Sequence, residues 1–323
     1  MHAENETPLT ITECILGTVT DKAAAFIKQS AEAVAKEKAK SSQGSDKITL
    51  QKHRWVPVKL LDRKSISEDT RTYTFQLPDG KPDLGLGTCQ HVQLGFHMKD
   101  RMLIRSYTPT KPLLPDAKAS NDKDQALRDG NGTFELTVKT YFPTDEQPGG
   151  AMSNILDCMP IGEEIEIRGP TGEIEYNGNG NGSFTISGKE YTFNRINLVL
   201  GGSGITPGYA LLARAMLSQG DKTEIRVVDA NKSEKDILLK EALDGFEKGS
   251  NGRLRITHVL SHPSDGWKGK TGHVNADIIR EALFEPGEQT GVFLCGPPAM
   301  IQKAAMPALK DWGFEEDKNI FGF

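Results

Sequence analysis

Several things are scarce in this sequence, and each scarcity excludes something. The four cysteines, Cys14, Cys89, Cys158 and Cys295, stand far apart, so no CxxC pair, zinc framework, iron–sulfur spacing or disulfide ladder can be drawn from them. No metal site is expected, and the cysteines read as reduced thiols. No run of about 18 apolar residues is present to span a bilayer. The first residues, with Glu4 and Glu6, lack the basic and apolar regions of a secretion signal. A cytoplasmic protein without a membrane partner is the expectation. Basic residues are not in excess either: 39 face 44 acidic ones, a formal charge of −5, which argues against general polyanion binding and against nucleic acid as a partner.

What is there is ample for two cores. The 323 residues suggest two domains of roughly 150 residues each, and 37% apolar with 26% charged residues excludes wholesale disorder. The 33 glycines and 17 prolines are more turn-forming residue than a helical bundle wants. Residues 1–50 have their own texture: Ala23, Ala24, Ala25, Ala31, Ala33 and Ala35 lie among lysines and glutamates, followed by Ser41, Ser42, Gly44 and Ser45. This reads as a solvated helix and a flexible linker, serving as a tether or a partner helix.

Residues 51–190 are expected to form one domain. Its apolar residues recur with period two, Tyr73, Phe75 and Leu77 on one face and Phe134, Leu136 and Val138 on another, with turns at Pro78-Asp79-Gly80 and Gly169-Pro170. The pattern predicts an antiparallel β-barrel. The stretches 116–131 and 177–188 read as surface loops. Residues 191–323 instead alternate short apolar strands (196–200, 224–228, 255–260, 291–295) with helical stretches (209–218, 236–246, 275–283, 299–312), the last kinked by Pro307. Such alternation predicts a doubly wound parallel α/β sheet, with ligands beyond the carboxyl ends of its strands.

Four short motifs carry candidate chemistry. Gly201-Gly202-Ser203-Gly204-Ile205-Thr206-Pro207 follows the first strand of the α/β half, with Thr206 as expected N-cap and Pro207 opening a helix. Free amides at such a turn attract anions, and glycines admit a phosphate close to the backbone; the motif is not a GxGxxG fingerprint. Cys295-Gly296-Pro297-Pro298 ends the last clear strand in a rigid turn that presents Cys295 at the sheet edge. No neighbouring base marks that cysteine as a nucleophile. Arg105-Ser106-Tyr107-Thr108 offers a guanidinium fork for a pyrophosphate and an aromatic ring for stacking, and Lys139 with Tyr141 repeats the basic-plus-aromatic pair. Gly149-Gly150-Ala151-Met152-Ser153 opens a short helix at 154–158, a second anion site. Two phosphate sites imply two phosphate-bearing ligands or one long one.

In this order, RSYT, GGAMS, GPTGEIEY, GGSGITP, CGPPAM and the terminal Phe321-Gly322-Phe323 resemble the cytochrome-b5 reductase branch of the ferredoxin-reductase superfamily over roughly residues 50–323. Within it the chain is most similar to the flavin-containing C-terminal part of fungal-type assimilatory nitrate reductases, on Ser67-Glu68-Asp69-Thr70-Arg71, Tyr141-Phe142-Pro143-Thr144 and Gly169-Pro170-Thr171-Gly172. His2-Ala3-Glu4 and Leu16-Gly17-Thr18 look like the tail of a haem domain. The resemblance implies an FAD-binding barrel ahead of an NAD(P)-binding α/β domain. It implies an oxidoreductase that passes electrons from NADPH or NADH through FAD to a haem domain or cytochrome-b5-type acceptor, in the same parent chain or apart. The alternatives are a stand-alone NADH–cytochrome-b5 reductase and, remotely, a flavin-binding regulatory protein.

The resemblance also implies roles. Arg105, Ser106, Tyr107 and Thr108 would hold FAD, Lys139 and Tyr141 would line the flavin pocket, and Gly150, Met152 and Ser153 would bind its phosphates. Gly202, Gly204, Thr206 and Pro207 would shape the nicotinamide groove, with Cys295, Gly296 and Pro297 beside it. His91, in Gln90-His91-Val92, matches a family histidine near the flavin. Lys139, His91, Thr206 and Cys295 would tune flavin and nicotinamide. Cys89 before Gln90-His91, Ala151 where lysine is frequent and Asp229 where an aromatic commonly precedes Ala-Asn depart from the family's pattern. Coenzyme choice falls to the segments around Lys232 and Ser261, where a neutral serine and a lysine lean to NADPH.

Overall fold

The computed structural model describes residues 47–323 except 115–126 and positions 146, 179, 181 and 219. Thr49–Phe323 forms a unit distinct from Met1–Ile48. The helix and linker expected over 1–50 lie, up to residue 46, outside the described residues, as does most of the loop expected over 116–131.

Strict alternation builds the first sheet. β1 (Val56–Ser65) buries Val56, Val58 and Leu60 and exposes Pro57, Lys59 and Leu61, the signature of a strand with one face inward. β2 (Thr70–Gln76), β3 (His91–His97), β4 (Met102–Tyr107), β5 (Thr133–Lys139) and β6 (Glu164–Thr171) complete an antiparallel sheet in the order β4-β3-β6-β1-β2-β5. Beyond β4 the chain returns to β5, where Lys111 pairs with Glu135 through Thr110 N–H to Glu135 O (2.8 Å) and Glu135 N–H to Lys111 O (2.8 Å). That bridge links the sheet's two edges into a barrel. All six strands turn side chains onto one apolar core, with Phe75 and Phe134 stacked 5.1 Å apart in its middle. The helix α1 (Ala151–Cys158) adds Met152 and Leu156 to that core.

A small antiparallel meander follows, β7 (Ile174–Tyr176), β8 (Ser183–Ile186) and β9 (Lys189–Thr192). The surface loop expected over 177–188 is thereby corrected. Ser183–Ile186 within that stretch is strand β8, and its Phe184 and Ile186 are buried. The meander's apolar side packs into the α/β core. The residue 190/191 division falls inside β9.

The second sheet is wholly parallel, β13-β12-β11-β10-β14-β15. Its strands are β10 (Arg195–Gly201), β11 (Glu224–Asn231), β12 (Leu254–Leu260), β13 (Lys270–Thr271), β14 (Thr290–Cys295) and β15 (Ile320–Gly322). β10 and β14 are buried on both faces over nearly their whole length, as a central parallel strand covered by helices must be. The longer helices are α2 (Ile205–Leu217), α3 (Lys240–Gly249), α4 (Ala276–Ala282) and α5 (Met306–Trp312), with a single helical turn at Pro298–Met300.

Three helices of this half differ from expectation for identifiable reasons. A 3-10 turn at Gly202–Gly204 begins winding straight after β10, so Gly204, not Thr206, is the N-cap of α2. The Thr206 hydroxyl donates to Ser203 O (3.2 Å). The helix expected from 236 starts at Lys240, because Asp236 closes a capping box on Ser233 within a 3-10 turn Glu234–Asp236. The helix expected over 299–312 is interrupted by a π segment, Ile301–Ala305, ahead of α5, with Pro307 in the first turn of α5 where its missing N–H does no harm.

Phe75 is fully buried and one half of the stacked pair, so Phe75→Ala is expected to lower stability by about 3–5 kcal/mol. A fall in the urea midpoint of the barrel transition, with little change in slope, would show it.

Candidate functional site

The parallel sheet reverses its winding between β10 and β14, the switch point at which α/β sheets open a crevice. The register pairs Leu200 with Cys295, so the turns after both strands emerge side by side. They are packed so closely that a Cβ on Gly204 would lie 2.5 Å from Cys295 O, and one on Gly201 2.9 Å from the Pro297 ring. Glycine is required here for approach.

A cavity of about 780 Å³ opens over this crevice and continues across the barrel face. Its α/β wall holds Gly202, Gly204, Thr206, Pro207, Cys295, Gly296 and Pro297, joined by Phe323. Its barrel wall holds His91, Arg105, Ser106, Tyr107, Thr108, Lys139, Tyr141, Gly150, Met152 and Ser153. Lys232 and Ser261 are absent from this lining and lie on the turns after β11 and β12. Those turns are joined by Ser261 N–H to Asn231 O (3.1 Å) and His262 N–H to Lys232 O (2.7 Å).

The barrel-side glycine turn is built by hydrogen bonds to Tyr141. Gly150 N–H donates to Tyr141 O (2.8 Å), Asn154 Nδ2 donates to Tyr141 O and Gly150 O (both 2.8 Å), and Ser153 Oγ accepts from Tyr141 N–H (3.2 Å). Gly149 has φ +76, and a Cβ there would meet Tyr141 O at 2.5 Å. The expected helix at 154–158 begins earlier, at Ala151, with Gly150 as N-cap and without a side-chain cap. The Ser153 hydroxyl serves the turn, donating to Gly150 O (3.0 Å). Tyr141 lies beyond the end of β5 and is 52% exposed, so it shares the cavity with Lys139 without sharing its strand.

Burial keeps most titratable groups of the cavity uncharged. It pushes the Cys295 thiol up to about 11, lifts the Tyr107 phenol well above its ordinary value despite Arg105 and depresses the His91 imidazole. Lys139 is held charged instead. Burial penalises its ammonium, but hydrogen bonds to Asp236 (2.6 Å) and Asp69 (2.7 Å) outweigh that and hold its pKa above the ordinary value. Burial opposes ionisation of both carboxylates, and Lys139 with neighbouring hydroxyls still keeps them below their ordinary range. The carboxylates' stabilisation is therefore full above about pH 4 and lost as pH falls through their lowered values; that of Lys139 is full below about pH 10 and lost as pH rises through its raised one. The cluster is charged throughout the neutral range.

Sequence reading missed Thr137 and the two carboxylates on Lys139. Thr137 is masked by its strand pattern. Asp69 and Asp236 carry no local sign that they meet. Asp229, noted as a departure, is 1% exposed and accepts from Asn231 Nδ2 (2.9 Å) beside His258 Nδ1 (3.0 Å). Among the described residues no cluster of side chains could hold a metal ion, and no helix is long and apolar enough to cross a membrane.

Known proteins share this arrangement. Residues 57–176 match the oxidoreductase FAD-binding domain family and residues 198–306 the oxidoreductase NAD-binding domain family. The chain is 37% identical over 272 residues to an NADH nitrate reductase of Solanum lycopersicum and 38% identical over 273 residues to one of Arabidopsis thaliana. These alignments take in 83% and 82% of this chain but 28% of each relative, so the chain spans little more than a quarter of their length. Among solved structures, the cytochrome b5 reductase domain of Ulva prolifera nitrate reductase superposes with a TM-score of 0.75 at 30% identity, covering 85% of this chain and 99% of that one.

The cysteines give a direct check on the site. Cys158 is exposed, Cys295 half-buried and Cys89 buried, and a thiol held near 11 has little thiolate at neutral pH. Brief iodoacetamide treatment at pH 7.5 followed by mass spectrometry is expected to modify Cys158 at least about tenfold faster than Cys295. Cys89 should follow last.

Proposed function

We propose a complete electron path for this chain, which belongs to the FAD- and NAD-binding oxidoreductases of the nitrate reductase cytochrome b5 reductase type. It takes electrons from NAD(P)H onto FAD and delivers them to a cytochrome-b5-type haem, as the reductase portion of a nitrate reductase. The observation that carries this reading is the single cavity with two glycine-lined turns, one in each half.

The residues suit the cofactors. The Gly149–Gly150 turn has no side chain in the way of a phosphate, and the Arg105 side chain, on an exposed residue of the barrel wall, supplies the cationic fork for a pyrophosphate. Residues 51–190 would serve FAD and residues 191–323 the coenzyme. FAD, when bound, supplies the chemistry of accepting a hydride and returning electrons one at a time. The protein's part is placement. Arg105, Ser106, Tyr107 and Thr108 hold the flavin with Tyr107 offering its ring; Gly150, Met152 and Ser153 frame the phosphates; Tyr141 and His91 line the flavin's surroundings. Gly202, Gly204, Thr206 and Pro207, with Cys295, Gly296 and Pro297, floor the nicotinamide groove. Burial favours the neutral forms of Cys295, His91 and Tyr107, so these side chains add no net charge around the rings they would face.

The coenzyme reading remains NADPH ahead of NADH, although the similar plant proteins carry NADH in their names. Lys232 is exposed on the turn joined to Ser261. The carboxylates nearby are engaged elsewhere: Asp236 by Lys139 and Ser233, Glu234 by Ser264, Asp229 by Asn231 and His258. A ribose phosphate would therefore meet the Lys232 ammonium and the neutral Ser261 hydroxyl, with the charged Glu234 two residues away turned to Ser264.

Purified protein is expected to show a flavin spectrum that NADPH bleaches anaerobically faster than NADH does. Ser261→Asp should shift the ratio of kcat/KM values toward NADH by about tenfold or more, the cost of a like charge at a solvated site. Faster bleaching by NADH in the unaltered protein would overturn the coenzyme assignment. Failure of both coenzymes to bleach bound flavin would overturn the reductase reading.

A further inference from the structure

Lys139 is held by two carboxylates that come from opposite halves of the molecule. Asp69 lies in the turn between β1 and β2, and Asp236 in the 3-10 turn after β11. The three side chains are 16%, 33% and 17% exposed for Lys139, Asp69 and Asp236, so solvent screens the cluster only partly.

Each carboxylate divides its oxygens in the same way. Asp69 gives Oδ1 to the hydroxyls of Ser67 and Thr70 (both 3.1 Å) and Oδ2 to Lys139 (2.7 Å). Asp236 gives Oδ2 to Ser233, from N–H (3.0 Å) and Oγ (2.6 Å), and Oδ1 to Lys139 (2.6 Å). One oxygen of each thus fastens its own turn, and the other reaches a lysine that lines the cavity. A second, exposed pair, Lys235 with Glu68 at 3.9 Å, crosses the same seam and adds little by itself.

The turn so fastened is the one that carries Lys232, and it is joined by backbone hydrogen bonds to the Ser261–His262 turn. We infer that Asp236 is a positioning residue: through Lys139 it pins the coenzyme-side turn 231–236 to the end of β5, and so sets the gap across which nicotinamide meets flavin. The inference rests on the reductase reading above for its consequence, not for its geometry. Neither partner binds or reacts with the coenzyme through Asp236 itself. What Asp236 supplies is the registration of one wall of the cleft against the other, and hydride transfer is sensitive to displacements of about an ångström.

Asp236→Asn isolates this role, since the amide oxygen still accepts from Ser233 while the charge attraction to Lys139 is gone. In the full chain with FAD bound, stopped-flow bleaching by saturating NADPH is expected to slow roughly tenfold to a hundredfold. Flavin content and reduction by dithionite should stay unchanged, and Asp236→Glu, which keeps the charge, should restore most of the rate. Hydrogen exchange without coenzyme is expected to show the amides of residues 231–236 exchanging faster in Asp236→Asn. Bleaching of Asp236→Asn at the unaltered rate would overturn the positioning role whatever exchange shows. If neither coenzyme bleaches the unaltered protein, the reductase reading has failed, and exchange alone decides whether the latch exists: unchanged protection overturns it and lost protection sustains it.

Discussion

The parallel pairing of β10 with β14 is the constraint from which the site follows. Because Leu200 lies opposite Cys295, two turns almost a hundred residues apart in the chain end at one level, and the sheet's winding reverses between them. Such a reversal leaves a crevice that no crossover helix fills. The glycines at 201, 204 and 296 are consequences of that proximity, since side chains there would collide with the neighbouring turn. The same sheet accepts strand β15, so that Phe323 reaches the cavity with Phe293 stacked against it and Phe321 tilted against Phe293.

The other wall depends on how the barrel closes. The bridge between Lys111 and Glu135 ties the chain beyond β4 to β5, bringing the Arg105–Thr108 segment and Lys139 around the same opening. Thr137 reinforces the closure: its hydroxyl lies 3.0 Å from that of Thr72 and 3.1 Å from that of Thr110. The resulting pocket has two cations, Arg105 and Lys139, and a set of groups that burial holds neutral. That electrostatic character suits binding of phosphate-bearing cofactors, because two cations stand among side chains whose neutral forms burial favours.

The two halves adhere by two kinds of contact. Cys89 and Leu113 of the barrel join the apolar cluster around Tyr209 and Ala210 of α2, a contact that is non-directional and strong in proportion to the area it covers. Lys139 with its two carboxylates adds a directional contact, which fixes register rather than supplying much net stability. The meander β7–β9 is bound to the α/β half by the buried Tyr176 hydroxyl, 2.5 Å from Asp221 and 3.2 Å from Thr223.

Much of this was legible in the residues. Period-two alternation announced the antiparallel sheet, strand–helix alternation announced the parallel one, and motif order pointed to an FAD- and NAD-binding reductase, because these signals are local or lie at element ends. Most of the singled-out residues do line one cavity, Lys232 and Ser261 excepted. The sequence could not show that 177–188 holds a strand, since glycine-rich composition reads as loop until a buried Phe184 gives it a face. Nor could it place the helix starts at Ile205 and Lys240, where a 3-10 turn and a capping aspartate decided the winding. Least legible were Asp69 and Asp236. Attraction between charges acts through space and leaves no periodicity along the chain, so only the packed structure brings two such distant carboxylates onto one lysine.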